Sequence, residues 1–306
     1  MTSIPITGAL DPLRLRELVQ TALAEDIGGG DVTVRTVLGD AAARPATARI
    51  IAKAPGVIAG LLLAELACKA VDPAITFEAK VSDGATVAPG DLVYVATGPG
   101  GALLTAERTA LNFLGRLSGI ATLARRFVDA VAGASPVGVR ICDTRKTTPG
   151  LRLLEKYAAA AGGAQNHRIG LYDQVLIKEN HLAAAGVTVF EAVQRARTGT
   201  AGRGVFIGTE AETLEQVEQG LAAGADMILL DEFSTDELRA AVKLRDAHAA
   251  ASGKRVELEA SGGITLATVR AAAEAGVDRI SIGAITHSAP VLDLSCRFDF
   301  NTSAAT

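Results

Sequence analysis

The chain has 306 residues and a formal net charge of −4, with 49% hydrophobic, 21% charged and 4% aromatic residues and no Trp. This is ordinary globular usage, which excludes a disordered or low-complexity chain, and the length predicts two domains or a barrel with an appendage. Negative charge and scarce aromatic rings leave no source for phosphate neutralisation or base stacking, so nucleic acid is not an expected partner.

Met1 to Leu15 carries no basic segment followed by an apolar core, so no secretory leader is expected there. A helix is predicted next: Asp11 can cap it, Pro12 suits its first turn, and Leu15, Leu18, Val19, Ala22 and Leu23 share one face before Gly28-Gly29-Gly30. Between Ala46 and Gly100 the β-branched runs ARII, ITFEAKV and LVYVAT, separated by Pro-Gly and Asp-Gly pairs, predict a small mixed sheet domain. The most apolar stretch, Val57 to Val71, is broken by Glu65 and Lys69 and falls short of a membrane span. From Leu103 to Val131, helical spacing of Leu104, Leu111, Leu114 and Leu117 predicts long helices leading into a second domain, with a boundary near Ser118.

Beyond residue 136, short apolar runs alternate with helical patterns, as βα units in a parallel sheet require. The runs VGVRICD, QVLIKEN, VFIGT, MILLDE, VELEAS and RISIGA end near Asp143, Lys178, Glu210, Asp231, Ser261 and Gly283. A repeat supports this register: Thr213 to Asp231 aligns without gaps to Thr265 to Gly283. In each copy a Thr can cap a helix, Gly224 or Gly276 can end it, and Gln216 can complete a capping box with Thr213. The three cysteines, Cys68, Cys142 and Cys296, are far apart and lack CxxC spacing, which fits a reducing, cytoplasmic compartment and disfavours a disulfide frame.

Chemistry in a (β/α) barrel gathers where strands end. From Arg140 to His181 there are seven Lys or Arg against four Asp or Glu, a local +3 that calls for anionic ligands unless it is a solvated face. Arg145, Lys146, Arg168 and Lys178 each follow or end a strand, which favours the ligand reading. Guanidinium forks suit carboxylates and lysines suit phosphate or carboxylate, so the mixed set fits a substrate bearing both. His167 could add a hydrogen bond or a positive charge, and the four histidines show no HxxxH zinc spacing. Glu210 and Asp231 could hold a Mg²⁺ that also takes substrate phosphate, the alternative being strand-end acids bonded to helix amides. Ser261-Gly262-Gly263 and the matching Gly283-Ala284 turn offer backbone N–H groups to a phosphate.

The motifs AEDIGGGDVT, AERTALNFLGRLSGIAT, DTRKTTPGLRLLEKYA, GGAQNHRIGLYDQVLIKENH, LEASGGI and SIGAITHS resemble the quinolinate phosphoribosyltransferase family along nearly the whole chain. The resemblance implies an α/β fold: an N-terminal α/β sandwich domain (1–118, with the tail 289–306 returning to it) and an open (β/α) barrel domain (119–288). It implies transfer of phosphoribosyl from phosphoribosyl pyrophosphate to quinolinate with decarboxylation, a step of NAD biosynthesis giving nicotinate mononucleotide, pyrophosphate and CO₂. It also implies Mg²⁺, no organic cofactor, and a homodimer in which Arg108 reaches the neighbouring active site and binds a quinolinate carboxylate. By matching motif, Thr144, Arg145, His167 and Arg168 would hold substrate, while Lys146 and Lys178 face quinolinate and the pyrophosphate. Glu210 and Asp231 would place Mg²⁺ and the ribose hydroxyls, and Ser261, Gly262, Gly263 and Gly283 would take phosphate. The chain departs from the family pattern at Gly208, where a second Glu is common, and at Glu232, where Asn is frequent. Other readings of these residues are a molybdenum-locus paralogue of the same fold, a barrel aldolase with Lys178 as Schiff-base nucleophile, and a phosphosugar-binding module.

Overall fold

The structure, a computed structural model, describes residues 10–135 and 138–300. The first part of the Met1 to Leu15 stretch, Val137 of the VGVRICD run and the last residues of the 289–306 tail lie outside the described residues. The chain forms two compact units, the first taking in the described residues up to Arg125 with Leu153–Gly163 and the segment from Ser288, the second Arg126–Arg152 with Ala164–His287.

In the first unit, helix α1 (Pro12–Ile27) forms as its sequence dictates: the Asp11 carboxylate accepts the Leu13 N–H, Pro12 occupies the first turn, and Leu15, Val19 and Leu23 are buried. A π-type turn (Val34–Leu38) and a 3-10 segment (Gly39–Ala43), not foreseen in the sequence, follow it. The β-branched runs become β1 (Pro45–Ala52), β3 (Thr76–Ala79) and β5 (Leu92–Pro99), with two-residue strands β2 (Gly56–Val57) and β4 (Thr86–Val87) pairing apart from them. Helix α2 (Leu61–Val71) starts where the Asp83 carboxylate accepts the Gly60 and Leu61 N–H groups. The last described strand, β12 (Leu294–Phe300), pairs antiparallel with β1, giving the sheet order β12-β1-β5-β3. Helix α3 (Gly100–Ala130) runs 31 residues without a break at Ser118, whose buried hydroxyl accepts the Ala59 N–H at 3.0 Å. Beside it only glycine fits at 119, because a Cβ there would stand 2.0 Å from the Pro290 carbonyl oxygen. Helix α4 (Arg152–Ala161) supplies Glu155, fully buried against Arg116 at 2.8 Å.

The second unit is a six-stranded parallel sheet in the order β6 (Arg140–Cys142), β11 (Arg279–Ser281), β10 (Glu257–Ser261), β9 (Met227–Asp231), β8 (Ile207–Ala211) and β7 (Val175–Ile177). Strands 7 to 11 run consecutively and β6 joins the far edge, the order of a rolled βα sheet; among the described residues β6 and β7 remain its two ends, an open barrel. Burial of every residue of β8 and of Met227 to Leu230 in β9 follows from cover on both faces. Helices α5 (Glu179–Ala185), α6 (Val189–Gly199), α7 (Leu214–Ala223), α8 (Thr235–Ser252), α9 (Val269–Glu274) and α10 (Ala284–His287) intervene or follow.

The internal repeat is imperfect. Thr213 caps α7 by accepting the Gln216 N–H, but the Gln216 side chain accepts the Glu212 N–H instead of closing a box on Thr213. In the second copy Thr265 and Thr268 bond to each other and the helix starts only at Val269. Register sets Glu259 opposite Arg279, Arg279 opposite Arg140, and Ser261 opposite Asp231. Alternation therefore turns Arg140, Glu257, Glu259, Arg279 and Ser281 to one face.

Candidate active site

A cavity of about 660 Å³ opens where the parallel strands of the second unit end. Each βα loop brings its expected residues there. Thr144, Arg145 and Lys146 follow β6 and Lys178 stands directly after β7, whereas Arg168, expected at a strand end, comes with His167 from the connection between α4 and β7, held near the end of β6 by the isolated Cys142–Gln165 bridge. Glu210 and Asp231 face the cavity from β8 and β9. Ser261, Gly262 and Gly263 line it after β10, and Gly283 after β11. Arg108 is not among the residues that line this cavity and is exposed on α3 of the first unit.

Local chemistry explains these placements. The fully buried Asp143 carboxylate accepts the Asn166 side-chain N–H at 2.5 Å and the His167 backbone N–H at 2.9 Å, pinning the loop to the end of β6. The Arg168 backbone N–H donates to His167 Nδ1 at 2.8 Å, and its guanidinium donates to the Gln174 carbonyl at 3.2 Å. Gly262 and Gly263 have φ of +90° and +58°, so the turn exposes backbone in a conformation L side chains avoid. Gly283 is squeezed between Lys146 and His287, where a Cβ would meet Lys146 Cδ at 3.0 Å.

Like and unlike charges meet closely in the cavity. Burial, and then the neighbouring Arg145 guanidinium, lower Arg168 from the ordinary arginine value, so two forks of like charge share one wall. An anion between them relieves that repulsion. On the other wall, burial raises the Glu210 carboxyl, Lys178 at 2.7 Å draws it down, and Glu179 and Asp231 push it up again. Lys178 is thus committed to a charge-assisted pair with Glu210, unlike the unpaired amine of a Schiff-base enzyme. The aldolase reading is not favoured.

Glu259, which also lines the cavity, was not picked out in the sequence. Glu259 is fully buried, with Oε1 3.2 Å from His167 Nε2 and Oε2 2.8 Å from Arg279 Nε. Burial alone would raise its carboxyl, but His167 and then Arg279 bring it down to about 2, so it is ionised. The signal was present in VELEA, where glutamates at 257 and 259 alternate in a strand whose neighbours are apolar.

Residues 31–118 match the family described as Quinolinate phosphoribosyl transferase, N-terminal domain, and residues 120–297 match the C-terminal domain of that family. The chain belongs to the quinolinate phosphoribosyltransferase family. Relatives within the family extend over nearly all of it. It is 42% identical over 286 residues to a Bacillus subtilis protein named "Probable nicotinate-nucleotide pyrophosphorylase (carboxylating)", covering 94% of each chain. It is 39% identical to the nicotinate-nucleotide pyrophosphorylase (carboxylating) of Mycobacterium leprae, covering 91% of this chain and 95% of that one. The solved nicotinate-nucleotide pyrophosphorylase from Francisella tularensis superposes with a TM-score of 0.84 at 34% identity, over 95% of this chain and 98% of that one. Quinolinate phosphoribosyltransferases thus share both units of this chain.

Proposed function

We propose that this family member transfers phosphoribosyl from phosphoribosyl pyrophosphate to quinolinate and releases pyrophosphate, CO₂ and nicotinate mononucleotide, a pentosyl transfer of NAD biosynthesis. The observation that carries the reading is one cavity lined by the cations Arg145, Lys146 and Arg168, the acids Glu210 and Asp231, and the Gly262-Gly263 turn. The dicarboxylate lies between Arg145 and Arg168, with His167 behind them and Thr144 beside them. The 5'-phosphate rests on the N–H groups of Ser261, Gly262, Gly263 and Gly283, and Glu210 and Asp231 hold the ribose hydroxyls.

As the C1–O bond of the ribose breaks, positive charge grows on the sugar and negative charge on the departing pyrophosphate. Lys146 and Lys178 stabilise the latter. The quinolinate nitrogen attacks C1; once quaternised, its positive charge stabilises the carbanion left on the adjacent ring carbon when the carboxylate departs as CO₂, and that carbon then takes up a proton from water. The donor set also fits Mg²⁺. Two carboxylates converge, and among the described residues no third Asp, Glu, His or Cys completes a cluster of the kind that holds an ion unaided, so substrate oxygens and water would fill the remaining positions. When bound there, the ion supplies charge to the diphosphate.

The assembly proposed is a homodimer in which Arg108, exposed on α3, completes the cavity of the partner and takes one quinolinate carboxylate. Three unbridged cysteines support a reducing, cytoplasmic setting. The test is a single assay: protein, Mg²⁺, phosphoribosyl pyrophosphate and quinolinate should give nicotinate mononucleotide and CO₂ in equal amounts, with nicotinate a poor replacement. Product formation without CO₂, or no product across a range of divalent metals, would overturn the proposal.

A further inference from the structure

We propose that Glu259 is a positioning residue that acts through His167 to set Arg168 against the substrate's carboxylates; the inference rests on the quinolinate reading above. A barrel interior is ordinarily filled with branched aliphatic side chains. Here a charged ladder occupies it instead: Arg140 lies 2.7 Å from Glu257, Glu257 3.5 Å from Arg279, Arg279 2.8 Å from Glu259, and Glu259 3.2 Å from His167. The outer pair, Arg140 and Glu257, is partly exposed, but the inner rungs at Glu259 are buried; buried pairs are often replaceable by apolar residues with little loss of stability, so the inner rungs point to a directional role. Its last rung supplies the direction. His167 Nδ1 accepts the Arg168 backbone N–H, which places the ring proton on Nε2, facing Glu259. Both ring nitrogens are engaged within the protein, and the imidazole is 7% exposed. His167 therefore serves as a strut that orients the Arg168 backbone, and the Glu259 charge selects the tautomer that lets it do so. The Glu259 contacts to His167 and Arg279 are close but poorly aligned as hydrogen bonds, so charge carries the link.

Glu259→Gln keeps the volume and removes the charge. The expected result is a tenfold or greater rise in KM for quinolinate, with KM for phosphoribosyl pyrophosphate changed less than twofold. Equilibrium binding of quinolinate should weaken by the same factor. His167→Asn keeps an acceptor for the Arg168 N–H but cannot reach Glu259. Whatever that variant itself loses in quinolinate binding, adding Glu259→Gln to it should cost nothing more. Equal loss for both substrates, or additive losses in the double variant, would overturn the proposal. Should Glu259→Gln not fold, the ¹⁵N shifts of His167 in the wild-type protein decide: protonation at Nδ1 refutes the strut. Failure of wild-type protein to bind quinolinate at all would instead refute the functional reading.

Discussion

Gly262 and Gly263 sit side by side at the base of the cavity, yet substitution by alanine should affect them very differently. Both have positive φ, +90° and +58°. At 263 a Cβ would meet nothing within 4 Å, so the cost is the left-handed conformation alone, roughly 1 kcal/mol after the gain from stiffening the unfolded chain. At 262 a Cβ would stand 2.6 Å from Glu232 Cγ, 2.9 Å from Glu232 N and 3.1 Å from Glu232 Cα. The Cγ can swing away, but the backbone is held by the Glu232 N–H donating to the Ser261 carbonyl at 2.9 Å. Overpacking against such a fixed neighbour adds about 2 kcal/mol. Urea unfolding followed by circular dichroism should rank Gly262→Ala about 2 kcal/mol below Gly263→Ala. Because Asp231 precedes the displaced residue, Gly262→Ala should also raise KM for phosphoribosyl pyrophosphate the more. Equal destabilisation, or a larger loss at 263, would refute the steric reasoning.

Four further outcomes are expected. Glu232 is the one non-glycine residue with positive φ among the described residues, at 58°, so Glu232→Asn should raise stability by about 1 kcal/mol; a lowered unfolding midpoint would contradict this. Arg245, 4% exposed, donates to Asp278 at 2.8 Å, so Arg245→Ala should cost about 3 kcal/mol in unfolding while leaving both KM values unchanged. Burial pushes the thiols of Cys68 up to about 11 and of Cys142 and Cys296 up to about 12. Native protein should therefore resist thiol reagents at pH 8 that modify the unfolded chain. Raised thiol values also mean stability held below pH 9 and lost as pH climbs from there through 11 and 12, which alkaline melting curves would check.

Much of the site was legible because strand ends punctuate the sequence: a charged residue closing an apolar run, as at Lys178, Glu210 and Asp231, marks the rim directly. Helix α1 was equally plain, since Asp11 and Pro12 fix its start by local chemistry. Features that depend on distant neighbours were harder to read. Nothing near Ser118 says that α3 continues, because its burial against Ala59 comes from elsewhere in the chain. Thr265 has the same residue type and spacing as Thr213, yet the nearby Thr268 hydroxyl bonds to it and delays the helix. The π-type turn at Val34–Leu38 carries no periodic signal at all. The interior charges of β10 could have been read from the alternation in VELEA, had glutamates been expected inside a barrel.

The pairing of β12 with β1 has a consequence for biosynthesis. A ribosome delivers β1 early and its neighbour only after every strand of the barrel has emerged, so the earlier unit waits, one sheet edge bare, while the later one can already close. Trimming the final strand would thus injure the part of the protein made first, and nascent chains stalled before residue 294 should seek chaperones through that uncovered edge.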